Sequence, residues 1–139
     1  MRRGVFKYAG KFRVRAENPI TLINDSEPEP DLVVADKRSD KSAIAHPIAR
    51  EVRLVIEVAE QSLKRDRTHK MSIYAESNIP EYWIINLREG KIEVYLRPDP
   101  KGGTYESLTH YHRGTVFTSP FVGEVAVSEL VPEPPAEEE

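Results

Sequence analysis

Asp31, Glu57 and Lys70 are the residues of this sequence whose types and surroundings could do chemistry together. Asp31 follows Pro30 at the mouth of an apolar run, Leu32-Val33-Val34-Ala35, and Glu57 interrupts a second one, Leu54-Val55-Ile56-Glu57-Val58. A carboxylate set into an apolar strand is costly unless it has a partner: a cation, a metal or a donor network. Two carboxylates at strand ends can hold Mg²⁺ or Mn²⁺, with water and substrate oxygens completing the shell. A cation so held polarises a phosphate and lowers the pKa of the attacking water. A lysine beside it can position that water or neutralise charge that develops in the transition state. This is equipment for phosphodiester hydrolysis. The same residues also admit a plain structural ion pair between Glu57 and Lys70, and spacing alone does not separate the two readings.

The elements around these residues can be read from periodicity. Glu51 to Val58 alternates, with Val52, Leu54 and Ile56 on one side and Arg53, Val55 and Glu57 on the other. That predicts a central strand with its carboxylate near the C-terminal end. A helix follows, starting between Ser62 and Asp66, both suited to capping, and running to about Ser77. Asn78 suits the left-handed position after a helix, and Pro80 prevents continuation. Leu63, Met71, Tyr74 and Ala75 mark the core-facing stripe. Asp66, Lys70 and Tyr74, four residues apart, line one side. Asp66 can orient Lys70 from one turn away, and Tyr74 is expected to pack under the site. Lys64, Arg65 and Arg67, with His69 and Lys70, make the start of the helix basic. A helix N-terminus beside such a cluster favours phosphate; a solvated helix face is the plainer alternative.

Upstream, Phe12 and Val14 alternate with Arg13 and Arg15, as in a half-exposed strand. The basic stretch to Arg15 is either a phosphate-contacting edge or a solvated strand face. Asp25 to Pro30 and Asp36 to His46 have loop composition. Downstream, Glu81 to Asn86 and Lys91 to Arg97 read as an antiparallel hairpin, and Tyr105 to His112 and Thr115 to Phe117 as further strands. Glu124 to Val131 suits a strand or a helical turn. His110 and His112 would share a strand face, where two imidazoles could take a transition metal, although two ligands without a third are more often incidental. Tyr82 and Trp83 are expected in the core. The order of elements predicts an α/β (α+β) fold, a mixed sheet with one main helix after the Glu57 strand.

Composition limits the rest. The chain has 139 residues, no cysteine and no apolar run of membrane-spanning length. No disulfide framework or thiolate metal site is possible. No signal peptide is visible, and these features together lead to the expectation of a cytoplasmic protein without an organic cofactor or membrane partner. Net charge is −3, but residues 132–139 hold four glutamates and no base. The remainder is close to neutral, so a nucleic-acid partner has to be argued from local patches. One domain over residues 1–131, then a disordered acidic tail over 132–139, is the expected organisation.

Pro30-Asp31, Glu57-Val58, Gln61-Ser62, Asp66 with Lys70, Tyr74-Ala75 and Glu81-Tyr82-Trp83 follow one another at distances that resemble the Uma-two family. That family groups endonucleases of the PD-(D/E)XK superfamily, and the resemblance runs from about Asn18 to Val131. It implies a restriction-endonuclease-like sheet with Asp31 and Glu57 as ligands of Mg²⁺ or Mn²⁺. The superfamily's usual lysine, two residues after the glutamate, is here Ala59; the resemblance gives its role to Lys70. It further implies a DNA substrate, contacts from Lys64, Arg65 and Arg67, and a homodimer, since two sites are needed to cut both strands. Relatives usually carry a further N-terminal helix and hairpin, so a shortened member is expected. The alternative is an inactive remnant that binds protein or nucleic acid through the same fold.

Overall fold

The computed structural model describes residues 12–16, 30–36, 48–59 and 63–132, with the side chains of 12–16 and 63–67 outside that description. Six strands form one sheet: β1 (Phe12–Ala16), β2 (Leu32–Asp36), β3 (Val52–Ala59), β4 (Glu81–Asn86), β5 (Lys91–Asp99) and β6 (Thr104–His112). They lie side by side in chain order. Helix α1 (Leu63–Glu76) connects β3 to β4, and that pair is parallel; the other neighbours are antiparallel. A long crossover is what a parallel pair requires, and a helix supplies it. A second, two-stranded sheet, β7 (Val116–Ser119) with β8 (Gly123–Ala126), leads into a single helical turn, α2 (Val127–Leu130). The segment around Glu124 to Val131 is thus strand first and helical turn after. The fold is a mixed α+β arrangement with one main helix. Among the described residues no helix is long and apolar enough to cross a membrane.

The sheet separates two apolar layers. On one face Leu32, Val34, Leu54, Ile56, Trp83, Ile85, Ile92 and Val94 pack under Phe117, Val122, Val125, Val127 and Leu130 of the β7–β8–α2 unit. On the other, Val33, Val55, Tyr82, Ile84 and Tyr95 pack under Tyr74, Met71 and Ile73 of α1. Central strands covered on both faces read as continuous apolar runs, which is why all of β4 is buried. Tyr82 and Trp83 are in the core, on opposite faces.

Helix α1 ends where the sequence indicates. Asn78 has φ +60°, and its N–H and that of Ile79 donate to the carbonyls of Ala75 and Tyr74 at 2.9 and 3.1 Å. Pro80 then turns the chain into β4.

One expectation fails. Val52 does not share the face of Leu54 and Ile56; it packs with Val55 on the helix side. Val34 pairs with Leu54, but Ala35 pairs with Val52, so Arg53 is an extra residue in β3. Such a bulge reverses the facing of everything before it. It also brings Arg53 to Asp36, to which its guanidinium donates two bonds, of 2.9 and 2.6 Å.

Glu81 carries a buried polar link between the sheet and β7. Its carboxylate accepts from Trp83 Nε1 at 2.7 Å and from Ser119 Oγ at 2.8 Å. Ser119 Oγ in turn accepts from the N–H groups of Phe121 and Val122. Burial raises the Glu81 pKa, and these two donors only partly offset it. Asp36, expected to open a loop, instead ends β2; the rest of that expected loop, 37–46, the acidic tail after Pro132 and the side chains of the basic N-terminal strand fall outside the described residues.

Candidate active site

Asp31 and Glu57 stand at one end of the sheet on neighbouring strands. Leu32 pairs with Ile56 in antiparallel register, which sets the residue before β2 beside the last turn of β3. The Asp31 carboxylate is fixed there by the backbone: its Oδ2 accepts from the Val58 N–H at 2.7 Å. Because side chains alternate along a strand, Glu57 lies on the face opposite Ile56, under α1. It is 7% exposed.

The helix brings two side chains down onto Glu57. Lys70 and Tyr74 are one turn apart and so meet the same target. The Tyr74 hydroxyl donates to Oε2 at 2.7 Å, and the Lys70 ammonium reaches Oε1 at 3.4 Å. Each oxygen of Glu57 therefore has its own partner. Lys70 keeps 38% of its side-chain surface in solvent, so the pair sits at the boundary between core and water.

Electrostatics follow from this placement. Desolvation pushes the Glu57 pKa up, the Tyr74 hydrogen bond and the Lys70 charge pull it down, and the nearby Asp31 charge pushes it up again. The net shift is upward, so the buried carboxyl holds a proton more readily than a free one does. Tyr74 remains a donor throughout: burial, then the Glu57 charge, holds its hydroxyl far above the usual phenol range. Behind it lies a layer of tyrosines. Ring centroids of Tyr74 and Tyr82 are 5.0 Å apart, of Tyr82 and Tyr95 5.5 Å, and of Tyr95 and Tyr105 5.9 Å. This packing sets the height of α1 above the sheet and so the reach of Lys70.

The donor set fits a hard divalent cation. Two carboxylates from adjacent strand ends offer only oxygen, and Glu57 is buried with one ammonium near it, at 3.4 Å. Among the described residues no group of three or more His, Cys, Asp or Glu side chains could hold a metal. Backbone oxygens, water and a phosphate would have to complete the shell, as is common for Mg²⁺.

The structure thus brings together Asp31, Glu57, Lys70 and Tyr74. Asp66, Lys64, Arg65 and Arg67 are in the first turns of α1, on the site's side of the sequence, but their side chains lie outside the described residues. Sequence reasoning placed Tyr74 under the site and missed that it bonds Glu57. The spacing of Tyr74 one turn after Lys70 was the available signal. It could not find the Val58 N–H, since a backbone donor leaves no mark in the sequence. Nor did it find the contact between Lys91 and His110, whose Nζ and Nδ1 are 2.8 Å apart.

Comparison with known proteins agrees with this architecture. A crystal structure of what is described as a putative nuclease belonging to DUF820, from Anabaena variabilis, superposes with a TM-score of 0.64 at 18% identity. The match covers 91% of this chain and 72% of that one, and it shows a shared fold. No curated protein matches the sequence. A family model described as "Putative restriction endonuclease" matches residues 5–128, and the chain accordingly belongs to the Uma2 family.

Proposed function

We propose that this protein is a metal-dependent DNA endonuclease that hydrolyses phosphodiester bonds, with Asp31 and Glu57 as the ligands of Mg²⁺ or Mn²⁺ and Lys70 as the catalytic cation. One observation carries the reading: a buried glutamate whose two oxygens are separately held, beside a second carboxylate, at a solvent-facing sheet end. The family and the shared fold support it.

A divalent ion bound here would polarise the scissile phosphate and acidify the attacking water. The protein's own part is preorganisation. Tyr74 fixes Oε2 of Glu57, and the Val58 N–H fixes Oδ2 of Asp31; the remaining lone pairs then point in set directions without reorganisation. Lys70, half in solvent, reaches both Glu57 and an entering phosphate or water, where it can orient the nucleophile and offset charge on the phosphoryl oxygens. Lys64, Arg65 and Arg67, at the start of α1, contribute phosphate contacts from the helix N-terminus. A homodimer would present two such sites to the two strands of a duplex.

The competing reading is a structural Lys70–Glu57 pair in a protein that only binds. A 3.4 Å pair with one partner half exposed adds little stability, which favours a functional reason for it. Plasmid nicking in Mg²⁺ or Mn²⁺ decides. Wild type should nick and Glu57→Gln should not; equal nicking by both sinks the proposed site. Calorimetric titration with Mn²⁺ should give binding that depends on Asp31, which an inactive remnant would lack.

A further inference from the structure

Strand register extends the face of the site well beyond Asp31 and Glu57. Glu57 pairs with Ile84, Ile84 with Glu93, and Glu93 with His110. Paired residues project to the same face of a sheet, so His110 lies in one row with Glu57, on the helix side. The next row holds Ala59, Asn86, Lys91 and His112. Along these rows burial changes. Glu93 and Asn86 are fully covered, whereas His110 and His112 on β6 are exposed, as is Leu108 of the same strand at 48%. Helix α1 reaches the start of β6, where Ser72 and Glu76 lie beside Gly103, but His110 and His112 at the other end of that strand stay exposed, which leaves a shelf open to solvent there.

His110 is not an ordinary surface histidine. Lys91, with only 11% of its side chain exposed, places its ammonium 3.0 Å from Glu89 and 2.8 Å from His110 Nδ1. A lysine ammonium has donors and no acceptor, so it must donate to Nδ1. The ring proton then stands on Nε2. The imidazole is held by one nitrogen and offers an N–H on the other, polarised by the chain of donors behind it. Glu89 balances the Lys91 charge, so the trio presents a hydrogen-bond donor rather than a net positive charge.

We propose that His110, positioned by Lys91, contacts a backbone phosphate of the DNA strand a few nucleotides from the scissile bond. Sheet neighbours are about 4.8 Å apart, which puts His110 about 14 Å from Glu57 along the row. One strand of duplex rises about 3.4 Å per nucleotide, so the separation spans about four nucleotides. Phosphate contacts of this kind fix register on the duplex and carry no sequence information. The inference rests on the nuclease reading for what binds at the shelf.

The test separates the two. Binding of a short fluorescein-labelled DNA duplex is measured by anisotropy across a salt series, with Glu57→Gln as the parent so that cleavage does not intervene. His110→Ala in that parent should weaken binding about three- to tenfold, the net size of one ordinary hydrogen bond. The salt slope should not change, because no counterion-releasing charge is removed. His110→Gln, which keeps an N–H donor, should recover most of the loss. In the otherwise wild-type protein, His110→Ala should raise the DNA concentration for half-maximal nicking and leave the saturating rate unchanged. Glu106→Ala, at the far end of β6, serves as the control. Unchanged binding in His110→Ala, a loss as large in His110→Gln, or no DNA binding by the parent each overturns the proposal. The nuclease reading is judged apart from it, by whether nicking depends on Glu57.

Discussion

Tyr74 donates a 2.7 Å hydrogen bond to Glu57 from 17 residues away in sequence, across the gap between helix and sheet. Among the described residues it is the one neutral donor on a buried carboxylate that also feels Asp31 and Lys70. Removing it with Tyr74→Phe costs stability of about 1–3 kcal/mol, as for a buried acceptor left unpaired. The same change raises the Glu57 pKa further, because the lost bond lowers it. Protonation competes with metal for the carboxylate, so Mn²⁺ affinity in the variant should fall off at a higher pH than in wild type. Calorimetry at a series of pH values measures the displacement; curves that coincide refute it.

Substitution can separate the observed contact of Asp31 from the role proposed for it. Its Oδ2 accepts from the Val58 N–H, and its charge is available to a cation. Asp31→Asn keeps an acceptor and loses the charge. It should fold with nearly wild-type stability and lose Mn²⁺ binding and nicking. Asp31→Ala removes both and should in addition lower stability by about 1–3 kcal/mol. Denaturant melts of the two variants, side by side, would show whether the aspartate is structural, functional or both.

Lys70→Met distinguishes a catalytic lysine from a fastening one. An ion pair at this length and exposure contributes about 1 kcal/mol or less, and the methionine stem keeps the aliphatic packing. The expected outcome is a thermal midpoint close to wild type together with loss of nicking. A large fall in midpoint with nicking preserved would assign Lys70 to the fold.

How far the sequence foretold this arrangement depends on the kind of interaction. Apolar runs, the Asn78 cap and the carboxylate in β3 were legible because each follows from one segment's own periodicity or turn chemistry. The reversal at Val52 was not, since a bulge exists only relative to a partner strand, and the Ala35–Val52 register cannot be seen within β3. The same holds for Glu81. It looked like the start of a strand, and only the position of Ser119, 38 residues later, shows what it is for. Asp31, Glu57 and Lys70 could be grouped by residue type and resemblance, whereas the roles of Tyr74 and Val58 in holding them required coordinates.

Glu81 gives a pH prediction away from the site. Its carboxyl is buried with Trp83 and Ser119 as its donors among the described residues, and burial raises its pKa above that of an unfolded chain. The stability it allows is therefore fully present below the unfolded-state value and is lost as pH rises through the folded one. Glu81→Gln mimics the protonated form. Relative to wild type it should gain stability as pH rises from the ordinary glutamate range toward neutrality and show no gain in acid. Urea melts at several pH values check this; a gain that is the same at every pH counts against a buried carboxylate as its source.

The plain order of the sheet bears on how the protein is made. Because β1 to β6 lie side by side in the order in which they are synthesised, each strand that leaves the ribosome finds its neighbour already placed, and only the newest edge awaits a partner. The residues that bond Glu57 all precede β4, but the tyrosines that set the height of α1 come from β4, β5 and β6, so the site is complete only once the β5–β6 hairpin is made. The last strand of this sheet to arrive, β6, also brings the exposed end on which His110 stands.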